Sequence, residues 1–475
     1  MKTDYPEFRV IKNLQANSRS VIGAVFLALC AMVMIILLHP SLGVGDVDGY
    51  AYIMGARSLH EGNGYRDLLG DPLNHWPPVY SLLLSLSGDP LSFAKVVNYA
   101  SFGAAVGLIY YLLRQSGWSR EAAFGLSTGL ASGFLRLLAS IVHADILTYA
   151  LFLTAICFVG RAQRLLPSLI WAALIPIKLI AVIFLPAGFA ADLLVLRRSL
   201  YRLFLDYVPG AIVSILCIAG ILVLNQMTIH EWIPLSHHQS SVESFVSGAK
   251  AFAFSVPREF LFGWHGTALA FFPRIAFLAC MVLVLAALLS LRPAPDHTWY
   301  TAYGVLALVF SFLLLSVRDF GTSVRLFGYG LIVLFFGFRP RAWANSIWLS
   351  YGLVSVVTAV VNAMTVNSLG SMDPHYAELA VQVAARYKDA KVIATNSFHI
   401  LDLNANIASV PVSDYSGAAN YERFLWVTLP NYDPLGPIKP IDRPGPEWCE
   451  RQRFVGATLF TRCLSPRRSE DAGQR

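Results

Sequence analysis

The strongest constraint in this sequence is a succession of apolar runs, most of them close to the roughly twenty residues a helix needs to cross the hydrocarbon core of a bilayer. They fall near 21–38, 91–113, 121–140, 145–160, 166–178, 180–196, 204–225, 268–290, 298–316, 321–338 and 346–366. Backbone polar groups find no water inside a bilayer, so such runs fold as helices. The expected fold is an all-α polytopic membrane protein of about eleven transmembrane helices, with residues 1–366 as the membrane domain and 367–475 as a small extracytoplasmic α/β domain. The fifth and sixth runs are short, and Pro176 and Lys178 at their junction leave two readings open, two spans or one broken or re-entrant segment. The first run has no small-residue cleavage site after it and reads as a retained span.

Composition matters mainly for what it excludes. Only 14% of the residues are charged and 56% are hydrophobic, whereas soluble domains carry about a quarter charged residues. The net charge of +7 is not gathered on one face, since Lys and Arg punctuate the gaps between apolar runs; nucleic acid is therefore excluded as a partner. Short cytoplasmic connections are enriched in Lys and Arg, and the N-terminal segment together with Arg114, Arg120, Arg161, Arg164, Arg197, Arg198, Arg202, Arg292, Arg339 and Arg341 falls on one side. The N-terminus is thus expected in the cytoplasm of a cell with an inner membrane. The long loops 39–90 and 226–267 and the C-terminal domain are expected outside.

Within the second long loop, Val242, Phe245, Val246, Ala249, Phe252 and Ala253 form a helical apolar stripe suited to the membrane interface or to a lid. In the C-terminal domain, Tyr376 to Tyr387 reads as an amphipathic helix, and Lys391 to Thr395 and Phe424 to Leu429 read as strands. Cys449 and Cys463 bracket a candidate hairpin, where an oxidising compartment would allow a disulfide. Cys30, Cys157, Cys217 and Cys280 lie in apolar runs and act there as small hydrophobes.

The chemistry is expected in loop 39–90. Asp46 and Asp48 follow the first span directly, placed to meet a substrate held in the membrane by a lipid tail. A partly buried carboxylate can serve there as general base toward an acceptor hydroxyl. The same two residues equally suit the N-cap of the helix that follows.

Past the acidic pair come Tyr52, Ala56, a Gly62-x-Gly64-Tyr65 turn and Pro77-Pro78 ahead of an apolar run. This pattern resembles the GT-C glycosyltransferases, in particular the branch holding protein mannosyltransferases and the aminoarabinose transferase of lipid A. The resemblance implies an inverting transfer of a sugar from a polyprenyl-phosphate donor to a lipid, glycan or protein acceptor, on the outer face of the inner membrane. It makes Asp48 the base and Asp46 its helper. It assigns Asp145, Lys178, Arg325 and Tyr52 to substrate binding, with Arg325 and Lys178 compensating the donor phosphate, and His75 in the same loop is a further candidate for substrate binding. For Asp145 a helix N-cap, and for Lys178 a snorkelling side chain, remain alternative readings. An Arg about one turn inside an apolar run is costly unless it has a partner. The resemblance departs at His75-Trp76, where the family usually has an acidic or basic residue before the prolines, so acceptor identity does not carry over. A divalent cation such as Mg or Mn at Asp46 and Asp48 is left open, two carboxylates being a poor cage. A competing class, a flippase or polysaccharide-assembly protein, would commonly show internal repeats. None is found in the sequence.

Overall fold

The structure is a computed structural model. It describes residues 6–39, 47–68, 70–73, 76–160, 163–196, 200–230, 246, 282–283, 285–317 and 324–369. In the C-terminal part it describes 378–379, 381–383, 385–386, 393–395, 409–411, 422–427, 432–433, 436–437, 448–454 and 457–463. The chain divides into two compact units, Met1–Tyr65 with Pro72–Met364, and Arg66–Asp71 with Thr365–Arg475.

Unit 1 is helical. In chain order come α1 (Pro6–Leu38), α2 (Val47–His60), α3 (Val79–Leu84), α4 (Pro90–Gln115), α5 (Arg120–Leu130), α6 (Arg136–Ala139), α7 (Ala144–Gly160), α8 (Leu165–Leu174), α9 (Phe184–Ala191), α10 (Leu200–Ile229), α11 (Thr298–Val317), α12 (Val324–Phe336) and α13 (Asn345–Leu369). Among the described residues six helices are long and apolar enough to cross a membrane: Ser18–Leu38, Pro90–Gln115, Arg120–Ala139, Tyr201–Thr228, Pro295–Leu314 and Ala342–Val360. Shorter apolar helices stand at Ala144–Val159, Leu165–Leu174, Leu179–Val195 and Arg325–Phe336. The expected span 268–290 falls largely outside the described residues, as does the expected stripe 242–253 apart from Val246.

Packing follows residue size. Gly107 on α4 faces α1, where an added Cβ would come 2.8 Å from the carbonyl oxygen of Ala24. Gly125 on α5 and Gly352 on α13 face each other so closely that a Cβ on Gly125 would sit 2.1 Å from the Trp348 carbonyl oxygen. Small residues let helix backbones approach in this way, which matters where lipid removes the hydrophobic drive for helix association. Between α5 and α6 the chain makes a π-type turn at Ala131–Leu135, with Gly133 out of helical conformation (φ −87°, ψ −125°). The Ser132 carbonyl accepts from Arg136 Nε at 3.2 Å.

The junction of the fifth and sixth expected spans is a true break. Helix α8 stops at Leu174, Lys178 takes an extended conformation (φ −151°, ψ 119°), and a 3₁₀ turn at Leu179–Ile183 leads into α9.

Two short strands in unit 1, β1 (Leu291–Pro293) and β2 (Phe338–Pro340), pair antiparallel. Unit 2 contains β3 (Ile393–Thr395), β4 (Ser409–Pro411), β5 (Arg423–Val427), a minimal pair β6 (Tyr432–Asp433) and β7 (Gly436–Pro437), β8 (Trp448–Phe454) and β9 (Ala457–Arg462). The larger sheet has the order β4-β3-β5-β9-β8, parallel across β4, β3 and β5 and antiparallel through β9 and β8. Around the expected helix 376–387 the described residues are helical, and Leu379 and Val383, four apart, are its buried stripe. Cys449 and Cys463 are joined by a disulfide across the β8–β9 hairpin.

Candidate active site

Four segments far apart in the chain bring charged side chains together within unit 1. Asp48 stands in the first turn of α2 and Asp145 in the first turn of α7, while Lys178 occupies the break after α8 and Arg325 the start of α12. Lys178 Nζ lies 3.3 Å from Asp145 Oδ2 and 3.5 Å from Asp48 Oδ2. Arg325 reaches the same two oxygens, Nη1 at 3.6 Å from Asp48 and Nε at 3.9 Å from Asp145. Two carboxylates thus face two cations, which offsets the cost of desolvating all four. Exposure separates the carboxylates. The Asp145 side chain is fully buried, whereas that of Asp48 is 29% exposed and within reach of a reactant.

Local structure explains why these groups converge. The backbone N–H of Val79, at the start of α3, donates to the Pro176 carbonyl at 3.2 Å and ties the first loop to the break that carries Lys178. Ser81 Oγ donates to the Tyr52 carbonyl at 3.0 Å, joining α3 to α2. Asn98 on α4 is fully buried. Its Oδ1 accepts from the Tyr80 hydroxyl at 2.8 Å and its Nδ2 donates to the Ile141 carbonyl at 2.7 Å, fixing the turn that enters α7. Gly62 and Gly64, at φ 79° and 83°, form the turn that the sequence places before Tyr65, and both need the left-handed conformation glycine adopts without strain.

Two neighbours of the cluster were not singled out by sequence reasoning. Trp76 Nε1 donates to Asp48 Oδ1 at 2.9 Å. This residue belongs to the His75-Trp76 pair where the sequence departs from the family pattern; its partner His75 lies outside the described residues. His143 is fully buried. Its Nδ1 lies 3.3 Å from Asp145 Oδ2 and 3.7 Å from Asp48 Oδ2, and its Nε2 is 2.9 Å from Arg325 Nη2. The available signal was the spacing His-x-Asp at a helix start.

Tyr52, one helical turn after Asp48, is fully buried, with its ring edge-on to Tyr80 at 5.0 Å between centroids. Among the described residues its hydroxyl has no hydrogen-bond partner. Burial, reinforced by the Asp48 carboxylate, holds the phenol well above its ordinary range, so it stays protonated. Burial likewise raises the Tyr65 phenol. Asp46 lies outside the described residues.

Neither Asp48 nor Asp145 stands at an N-cap, each being the second residue of its helix. Asp48 directs Oδ1 to the Trp76 indole and Oδ2 toward Lys178, His143 and Arg325, and Asp145 Oδ2 faces Lys178 and His143. Both side chains face groups across the site. The cation left open at Asp46 and Asp48 falls partly outside the described residues, and Asp48 itself faces an ammonium and a guanidinium. No group of three or more His, Cys, Asp or Glu among the described residues could hold a metal.

No family model matches the chain, and no curated protein matches it at a significant level. Solved structures do resemble it. The crystal structure of ArnT from Cupriavidus metallidurans bound to undecaprenyl phosphate aligns over 93% of this chain and 98% of its own, at 12% identity and a TM-score of 0.48. The apo state of the same protein gives 13% identity and 0.48. An oligosaccharyltransferase from Archaeoglobus fulgidus, in complex with Zn and sulfate, aligns over 85% of this chain and 68% of its own, at 13% identity and 0.39. At scores this low the likenesses by themselves fix neither fold nor chemistry.

Proposed function

We propose that this protein is a multi-pass glycosyltransferase of the inner membrane that moves a sugar, with inversion, from a polyprenyl-phosphate donor to an acceptor hydroxyl. The observation that carries this reading is the convergence of Asp48, Asp145, Lys178 and Arg325 at separations of 3.3–3.9 Å. The reaction is placed on the outer face, with the N-terminus in the cytoplasm.

In the mechanism, Lys178 and Arg325 turn from the aspartates to the donor phosphate, a planar guanidinium being well matched to its oxygens. The acceptor oxygen attacks the anomeric carbon from the side opposite the phosphate. As the new carbon–oxygen bond forms, the bond to the phosphate oxygen breaks and its electron pair leaves with the polyprenyl phosphate. Asp48 Oδ2 takes the acceptor proton. Asp48 is suited to this because it is the exposed member of the carboxylate pair and because Trp76 fixes its other oxygen. Asp145 stays buried and keeps Lys178 and Arg325 in the site between turnovers. Stabilising the leaving phosphate in a dry cleft is the largest expected contribution to rate.

The test is a lipid-linked glycan profile of cells lacking the protein beside cells carrying Asp48→Asn. Accumulation of one polyprenyl-phosphate sugar in both, with the same sugar missing from an envelope component, supports the reading and names both substrates. A wild-type profile from the Asp48→Asn form rejects it, as expected for a transporter that needs no base.

A further inference from the structure

We infer that His143 is a positioning residue, a neutral imidazole that holds Arg325 ready for the donor phosphate; this rests on the donor reading above. A guanidinium has only N–H donors and keeps its proton in proteins. The 2.9 Å contact between Arg325 Nη2 and His143 Nε2 therefore makes Nε2 the acceptor. An imidazole that accepts at Nε2 is neutral and carries its proton on Nδ1. Nδ1 is the atom that faces Asp145 Oδ2 at 3.3 Å and Asp48 Oδ2 at 3.7 Å. One tautomer thus suits both edges of the ring, turning the donor toward the carboxylates and the acceptor toward the guanidinium.

The ring is fully buried and immediately precedes α7, the helix that carries Asp145, so its place is set by the scaffold. Arg325 is 26% exposed, and its contacts with the two carboxylates are loose. Without the imidazole acceptor, the guanidinium is free to settle onto Asp48 and Asp145 as a close ion pair. Its charge would then be committed to the protein and withdrawn from the phosphate. His143 keeps the arginine tethered through a neutral atom, which a phosphate displaces more readily than a carboxylate.

The experiment is a double-mutant cycle on the full-length protein in detergent, with undecaprenyl phosphate as the probe and its affinity as the readout. His143→Leu is expected to weaken binding about tenfold, the loss of one charge-assisted hydrogen bond. Arg325→Ala weakens it at least as much, and the double variant binds no worse than Arg325→Ala alone. His143→Gln, whose amide oxygen offers Arg325 an acceptor, recovers most of the loss. An equal loss from His143→Leu with and without Arg325 overturns the inference, as does no loss at all. If the wild-type protein shows no saturable binding, the donor reading falls and the inference with it. Wild-type binding that His143→Leu leaves untouched removes the inference alone.

Discussion

Unit 1 carries two clusters in which a cation meets a buried aspartate, and they are built in opposite ways. At the first, Arg164 Nε donates to both oxygens of Asp192, at 2.8 and 3.0 Å, and the Tyr207 hydroxyl donates to Oδ2 at 3.1 Å. Arg164 Nη1 donates to the Val159 carbonyl at 2.8 Å, and the guanidinium lies 5.2 Å from the centre of the Trp299 ring. At the second, Lys178 and Arg325 face Asp48 and Asp145 across 3.3–3.9 Å. Charges closed at bonding distance and walled in by aromatic rings hold helices together. Charges kept slightly apart, with one carboxylate open, are available to something that arrives later.

The comparison breaks most readily at Asp192. Asp192→Ala leaves Arg164 buried without its carboxylate and should cost about 3–5 kcal/mol of stability, read as a large fall in the thermal unfolding midpoint in detergent. Equal midpoints for Asp192→Ala and wild type would show that the first cluster is no joint. Lys178→Met should act mainly on catalysis, lowering transfer about a hundredfold or more, with a smaller fall in the midpoint because Arg325 and His143 still face Asp145, as checked by sugar transfer from a polyprenyl-phosphate donor. A smaller effect is expected from Trp76→Phe. It removes the indole donor from Asp48 while keeping an aromatic ring, and transfer should fall about tenfold at unchanged stability.

The smallest effect concerns a third cation. Arg136 Nη1 bonds His39 Nε2 at 2.9 Å, and burial together with that guanidinium lowers the His39 pKa to about 4. An unfolded histidine binds its proton near about 6.5. Between those values the unfolded chain holds more protons than the folded one, so stability falls as pH drops from about 6.5 toward 4 and is level in this contribution above that range. Unfolding midpoints across pH should lose that slope in His39→Asn.

Much of the scaffold was legible because helices in a membrane announce themselves as apolar runs, and because β-branched and aromatic segments mark strands such as β5. Asp48, Asp145, Lys178 and Arg325 could each be marked singly, since a charge at the rim of an apolar run costs energy and needs a reason. Their meeting followed only from the family resemblance and not from composition or spacing, because it depends on the starts of α2, α7 and α12 and the break after α8 converging over long sequence separations. His143 and Trp76 escaped for the same reason. So did the first cluster, where Arg164 read as one more loop cation marking the cytoplasmic side and Asp192 was submerged in the run 180–196. The break at Lys178 lay between. Pro176 marked it, but only the structure shows the extended residue that separates α8 from the turn that follows.

That the second cluster draws on segments from α2 to α12 has a consequence for how the protein is made. A ribosome delivers Asp48 first, then Asp145, then Lys178, and Arg325 only after α11 has been threaded. Until α12 docks, two acidic side chains share a single lysine, and the half-built site holds one carboxylate more than it has cations. Arg325 is thus the last of the four charges to reach the site and the one that balances it.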